Sequence, residues 1–149
     1  MQRRRTVAQY RAVDLAMFAL MLAVFETLVV TAARRWFPNE PYTVSVTPAI
    51  TTIVMMRWRP WAGLHAALGG AVYCLACGAG WTHYVIYGAG NLLSLAALGY
   101  IRAATPEGIR ESTSKSLLLA LAVTLLMQLG RALLAVILGH PPAAALGFF

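Results

Sequence analysis

Two charged side chains, Glu26 and Arg131, stand inside long apolar runs, where an ion persists only if a partner, water or a ligand compensates it. Both lie about two helical turns, roughly 10 Å, below the same end of their runs, and Asn91 enters its own run to the same depth. Along the last run, Thr124, Gln128 and Arg131 recur at spacings of four and three residues, one stripe of a helix rather than scattered substitutions. An acid, a guanidinium and an amide at one depth can converge on a small ligand in a cavity that opens outward. They can also form an internal Glu26–Arg131 ion pair, with Asn91 as a hydrogen-bonded tie between helices. Above that depth stand Trp81, His83, Tyr84 and Tyr87, with Trp36 in a neighbouring loop. Aromatic residues there are first of all an interfacial belt. Their second use is to stack on a planar ring at the cavity mouth.

Cys74 and Cys77 make a C-x-x-C, the spacing of a thiol redox pair, and quinone-linked membrane thiol oxidases turn such a pair to the exterior. Those enzymes exchange with a second pair, and this chain has no third cysteine. With Gly63, Ala67, Gly70 and Gly78, Cys74 instead continues a seam of small residues that lets helices approach closely, so no catalytic residue is expected. His65, His83 and His140 lack a paired spacing, so neither a metal site nor a cofactor is expected. Asp14 is close enough to a helix end to reach Arg11 or water and is assigned no site. No G-x-x-x-x-G-K-S/T phosphate loop occurs, so a partner must supply the energy for any uphill transport.

The elements that position these groups follow from composition. Of 149 residues, 60% are hydrophobic and 11% charged, against roughly one-quarter charged in soluble domains, which excludes a soluble globular domain. From Pro60 to Ile101 there is no Asp, Glu, Lys or Arg, a stretch about twice the ~20 residues that cross the hydrocarbon once. Lipid cannot hydrogen-bond an exposed backbone, and these runs do not alternate as barrel strands do, so the spans are helices. The predicted fold is all-α, a single polytopic transmembrane bundle over 1–149. Its five spans fall at about Val13–Ala33, Tyr42–Met56, Trp61–Ala79, Tyr84–Ile101 and Leu117–Leu138, with a polar cytoplasmic loop over 102–116. The second span is short, and Pro48 inside it predicts a bent or partly unwound segment, as do Thr43, Thr47 and Thr51 at intervals of four.

Lys and Arg stay on the cytoplasmic side of a membrane. Arg3, Arg4, Arg5, Arg11, Arg57, Arg59, Arg102, Arg110 and Lys115 fall on one side of the predicted bundle, against Arg34 and Arg35 on the other. The N-terminus is therefore expected in the cytoplasm, and the protein in the cell membrane. Dispersal over short loops also accounts for the net charge of +7 without a nucleic-acid partner. Arg3 to Arg5 before an apolar run mimics a signal peptide, yet the run is long and contains Glu26, which predicts an uncleaved first span. That span carries Ala12, Ala16, Ala19 and Ala23, a face that packs helices together in lipid. These alanines lie within about 80° of Glu26 around the helix. The inner part of the helix would have to dock while the outer part lines the cavity.

The alanine-rich first helix after a basic N-terminus, the stretch Arg57-Trp58-Arg59-Pro60-Trp61-Ala62-Gly63 leading to Gly69-Gly70, and Tyr87-Gly88-Ala89-Gly90-Asn91 have a counterpart. Together they resemble the substrate-binding S components of energy-coupling factor (ECF) vitamin transporters. The resemblance covers most of the chain as loose patterns. It implies a non-enzymatic membrane subunit that binds a vitamin or related micronutrient in an outward cavity roofed by the first outer loop. An A-x-x-x-A face of the first helix would dock on a transmembrane coupling subunit that carries two cytoplasmic ATPases. On this chain it implies Ala12 and Ala16, with Ala19 and Ala23, as the docking face and Arg34 to Tyr42 as the gate. Asn91, Gln128 and Arg131 would line the cavity, and Glu26 joins them from its depth alone. The family has six helices, so a sixth is expected to follow the approach that begins at His140. Two other classes compete: a structural, cell-shape type of scaffold in which Glu26 and Arg131 only fix packing, and a thiol oxidoreductase using Cys74 and Cys77.

Overall fold

Thr6 and Gln9 exchange side-chain and backbone hydrogen bonds in a capping box, and helix α1 (Val7–Trp36) starts from it. A computed structural model describes residues 6–38 and 44–145, and all regular structure among them is helical. Arg3, Arg4, Arg5, Thr43 and the part of the expected gate from 39 to Tyr42 lie outside the described residues. α1 begins before the predicted Val13 because a cap, not the edge of the apolar run, decides where the backbone turns helical. Arg34 and Arg35 in its last turn complement the negative end of the helix dipole.

Helix α2 (Thr47–Trp58) starts five residues later than predicted. Pro48 therefore sits in its first turn, where a missing N–H leaves no bond unmade, and not in the helix interior as the sequence suggested. The expectation of a bent or partly unwound segment is met by its second form: residues 44–46, inside the predicted span, are not helical. Arg59, at φ 52° and ψ −117°, turns the chain through a one-turn 3-10 segment (Arg59–Trp61) into α3 (Ala62–Cys77). Gly78 ends α3 in the left-handed conformation, with the Ala79 N–H bonded to the Cys74 carbonyl.

The next rod changes pitch along its length: α4 (Trp81–Gly90), a 3-10 stretch (Asn91–Ala97), then α5 (Leu98–Ala104). The predicted loop over 102–116 holds a short helix, α6 (Pro106–Arg110), and the first turn of α7 (Thr113–Ile137), which Ser112 caps. Gly139, at φ 89°, closes α7 and leads to the single turn α8 (Pro142–Ala145), where the approach to a sixth helix was expected.

Among the described residues three helices are long and apolar enough to cross a membrane: α1, the rod Trp81–Ala104, and α7. α2 and α3, with 12 and 16 residues, reach ~18 and ~24 Å, short of the ~30 Å hydrocarbon core. Of the five predicted spans, three have the length to cross unaided. α3 packs on α1, α2 and α4, while α7 packs on the 3-10 stretch, α4 and α2. Glycines set these approaches: a Cβ on Gly130 would stand 2.0 Å from the Gly90 carbonyl oxygen, and one on Gly70 2.4 Å from that of Tyr87. The core divides in two. Leu22, Val54, Met55, Ile101, Val123 and Met127 belong to the larger part, toward the Val7 end; Cys74, Ile86, Tyr87, Ala135 and Ala145 form the smaller.

Candidate functional site

A band of buried polar groups separates the two parts of the core. On α7, Arg131 falls between Met127 and Ala135; on the rod, Asn91 and Ser94 fall between Tyr87 and Ala97. The close contact of Gly90 with Gly130 brings α4 and α7 backbone to backbone, which places Arg131 beside Asn91. Arg131 is 9% exposed, and its Nε donates to Asn91 Oδ1 at 2.8 Å while Nη1 donates to Gln128 Oε1 at 3.0 Å. Asn91 in turn donates from Nδ2 to the Ala66 carbonyl of α3 at 2.9 Å. The guanidinium carbon lies 4.6 Å from the centre of the Tyr87 ring, and Tyr87 stacks on Tyr73 at 4.7 Å between centroids.

The balance at Arg131 can be sized. Hydrogen bonds to a charged group contribute about 1.5–3 kcal/mol each. A desolvated cation–π contact adds about 2 kcal/mol, so the sum is of the order of the penalty for burying an ion. Each of these partners is neutral. Among the described residues the ion pair within 4.0 Å is Arg57–Asp14, far along the bundle at the Val7 end.

Glu26 makes no hydrogen bond or ion pair within 4.0 Å with Arg131, although its charge still acts on the guanidinium, so the acid and the guanidinium are not joined directly as their common depth allowed. Depth is one coordinate, and the direction around the helix is the other. Glu26 faces α2: its carboxylate accepts from Ser45 Oγ at 2.7 Å and from the backbone N–H groups of Val46 and Thr47 at 2.9 and 3.1 Å. A fully buried anion is thereby held by the N-terminal end of α2, whose dipole and unpaired donors favour it. Thr47 lies against Gly69, where a Cβ would stand 2.2 Å from the threonine hydroxyl. The hydroxyls of Thr47 and Thr51 are buried without a hydrogen-bond partner among the described residues.

The aromatic candidates divide. Tyr87 is buried at the guanidinium, and Tyr84 packs against the smaller core. Trp36 and Trp81 are 73% and 79% exposed and do not enter the site. His83 is half-buried near the start of α4. On α1, Ala12 and Ala16 are exposed while Ala19 and Ala23 are half-buried, so the small-residue face turns partly outward at the Val7 end. Arg34 donates to the Ala76 carbonyl at 3.1 Å and ties the far ends of α1 and α3 together. Asp14, assigned no site, pairs with Arg57 at 3.0 Å and accepts from the Trp58 indole, not from Arg11. His65 bonds the Leu15 carbonyl at 3.0 Å.

Comparison with known families, curated proteins and solved structures finds no match. What the site can do follows from its own geometry. Cys74 is buried against Ile86 and Tyr87, and both cysteines are free thiols. No cluster of three metal-binding side chains occurs among the described residues. Tyr73 and the Ala66 carbonyl are parts of the site that sequence reading passed over. Tyr73 is visible in the sequence only as a neighbour of Cys74, and a carbonyl leaves no sequence signal at all.

Proposed function

We propose that this chain is an integral membrane subunit of an ECF-type transporter that captures a small anionic, ring-bearing micronutrient of the vitamin class from outside. It would then pass the micronutrient to a transmembrane coupling subunit with two cytoplasmic ATPases. On this reading the chain is not itself an enzyme. It lies in the cell membrane with the N-terminus inside, and α2 and α3 complete the crossing together with their flanking segments. The observation that carries the proposal is Arg131, a buried cation whose hydrogen-bond and ring partners among the described residues are all neutral, Glu26 acting on it through its charge without direct contact. A ligand carboxylate or phosphate would supply a countercharge in direct contact, and the Tyr73–Tyr87 stack beside it offers a flat surface to a ring. The outward turn of Ala12 and Ala16 supports docking through α1.

Calorimetric titration of the full chain in detergent with a panel of anionic vitamins tests this. One member should bind at micromolar concentration or better, and Arg131→Gln should weaken it by about thirtyfold or more, the ~2 kcal/mol or more lost when one member of a buried charge pair is removed. No binding across the panel, or a variant that binds as well as the parent, contradicts the reading. A scaffold role is favoured by one observation: Glu26 and the two bonded nitrogens of Arg131 find all their partners within the chain. The double variant Glu26→Gln, Arg131→Gln separates the two, since a scaffold would lose assembly while solute uptake stayed unchanged.

A further inference from the structure

A cavity of about 330 Å³ opens at the Val7 end, between α2 and the α6–α7 corner. Arg57 from the last turn of α2 and Arg110 from the end of α6 reach it over a floor of Ile53, Met56, Ile109 and Leu119. Among the described residues no carboxylate lines it, although Glu107 and Glu111 stand on either side of Arg110 in the sequence. Its two hydroxyls give it no donors. Thr52 donates to the Pro48 carbonyl and Ser116 to the Ile109 carbonyl, each at 2.7 Å.

We propose that this cavity holds the phosphate of an anionic phospholipid, clamped between Arg57 and Arg110, with the acyl chains running over Ile53 and Leu119. Both arginines line the space; Arg57 also pairs with Asp14 and bonds Tyr10 of α1, so Arg110 brings the uncommitted charge and the remaining donors of Arg57 complete a phosphate's hydrogen bonds. The apolar floor selects a lipid over a free anion, because a free phosphate would leave that hydrocarbon in water. Ile53 is 47% exposed, so the floor continues outward to where acyl chains would lie. The level is that of a headgroup. Trp58 and Trp61 flank the same end of α2, with Tyr10 packed on Trp58 and Arg11 over Trp61, and tryptophan concentrates at the membrane interface. With the hydroxyls already committed, charge alone confers selectivity, and the polyol part of the headgroup does not matter. The site rests on the membrane placement proposed above and not on any vitamin, and lipid retention is read without transport.

Native mass spectrometry of the full chain in detergent, titrated with phosphatidylglycerol or with phosphatidylcholine of the same acyl chains, tests it. Phosphatidylglycerol should be retained in preference. Arg110→Gln should lower its retention about fivefold, the equivalent of ~1 kcal/mol per basic residue, and leave phosphatidylcholine unchanged. Arg110 is exposed and α6 is a surface turn, so this variant keeps the fold. Arg57→Gln, which also releases Asp14, should show the same loss, with thermal unfolding measured beside it. Equal retention of the two lipids, or undiminished phosphatidylglycerol on Arg110→Gln, overturns the proposal. Inorganic phosphate that displaces the lipid at millimolar concentration assigns the cavity to a free anion and overturns it too.

Discussion

Glu26 and Arg131 are both buried ions, yet they are compensated in different ways. The carboxylate takes three donors, two of them backbone N–H groups that α2 would otherwise leave unpaired. A glutamine amide in its place would offer one carbonyl and turn its own NH2 toward donors. Glu26→Gln is expected to lower stability by about 1–3 kcal/mol, read by thermal unfolding in detergent, with the loss concentrated in hydrogen exchange at the start of α2. Among the described residues, Arg131 is held by side chains and has no such backbone partner. That difference separates a residue that builds the fold from one that the proposed function assigns to a ligand. Both were visible in the sequence as ions in apolar runs. Their directions were not, because a depth count says nothing about which neighbour each side chain faces.

At the scale of elements, α2 departs most from its sequence reading. It is a half-length helix whose first residue, Thr47, is level with Gly69 in the middle of α3, so its N-terminus opens inside the bundle. Pro48 and the threonines mark the place, but the anion that makes such an end tolerable lies far away in sequence. Glycine contacts fix the other approaches, and two of them can be contrasted. Gly130→Ala would drive a Cβ into the Gly90 carbonyl, and since backbone cannot swing aside the two helices must separate, at a cost of about 1–3 kcal/mol. Gly99, in α5, has nothing within 4 Å of an added Cβ, so Gly99→Ala should be neutral or stabilise by up to ~1 kcal/mol through helix propensity. Thermal unfolding of the two variants side by side checks this.

For the whole molecule, the large exposed side chains tell most. Met17, Leu20, Val24 and Leu28 on α1, and Leu121, Leu125 and Leu133 on α7, face outward. In water such faces would aggregate; against lipid tails they cost nothing. The proposed orientation is open to direct measurement. In a Cys74→Ser, Cys77→Ser background, Ala8→Cys should react with an impermeant maleimide only after cells are opened, and Leu138→Cys in intact cells. The reverse pattern would invert the bundle and place the Tyr73–Tyr87–Arg131 cluster nearer the cytoplasmic face.

Composition and periodicity alone determined that this chain is helical, apolar enough to cross a membrane, and marked by Glu26, Asn91 and Arg131 as unusual, because the cost of a polar group in an apolar run depends only on local sequence. The pairing of Arg131 with Asn91 and Tyr87, the turn of Glu26 toward α2, and the lengths of α2 and α3 were decided by the tertiary structure. Rotation about a helix axis and the approach of two backbones at glycine are set by contacts between residues distant in the chain, which no local pattern records.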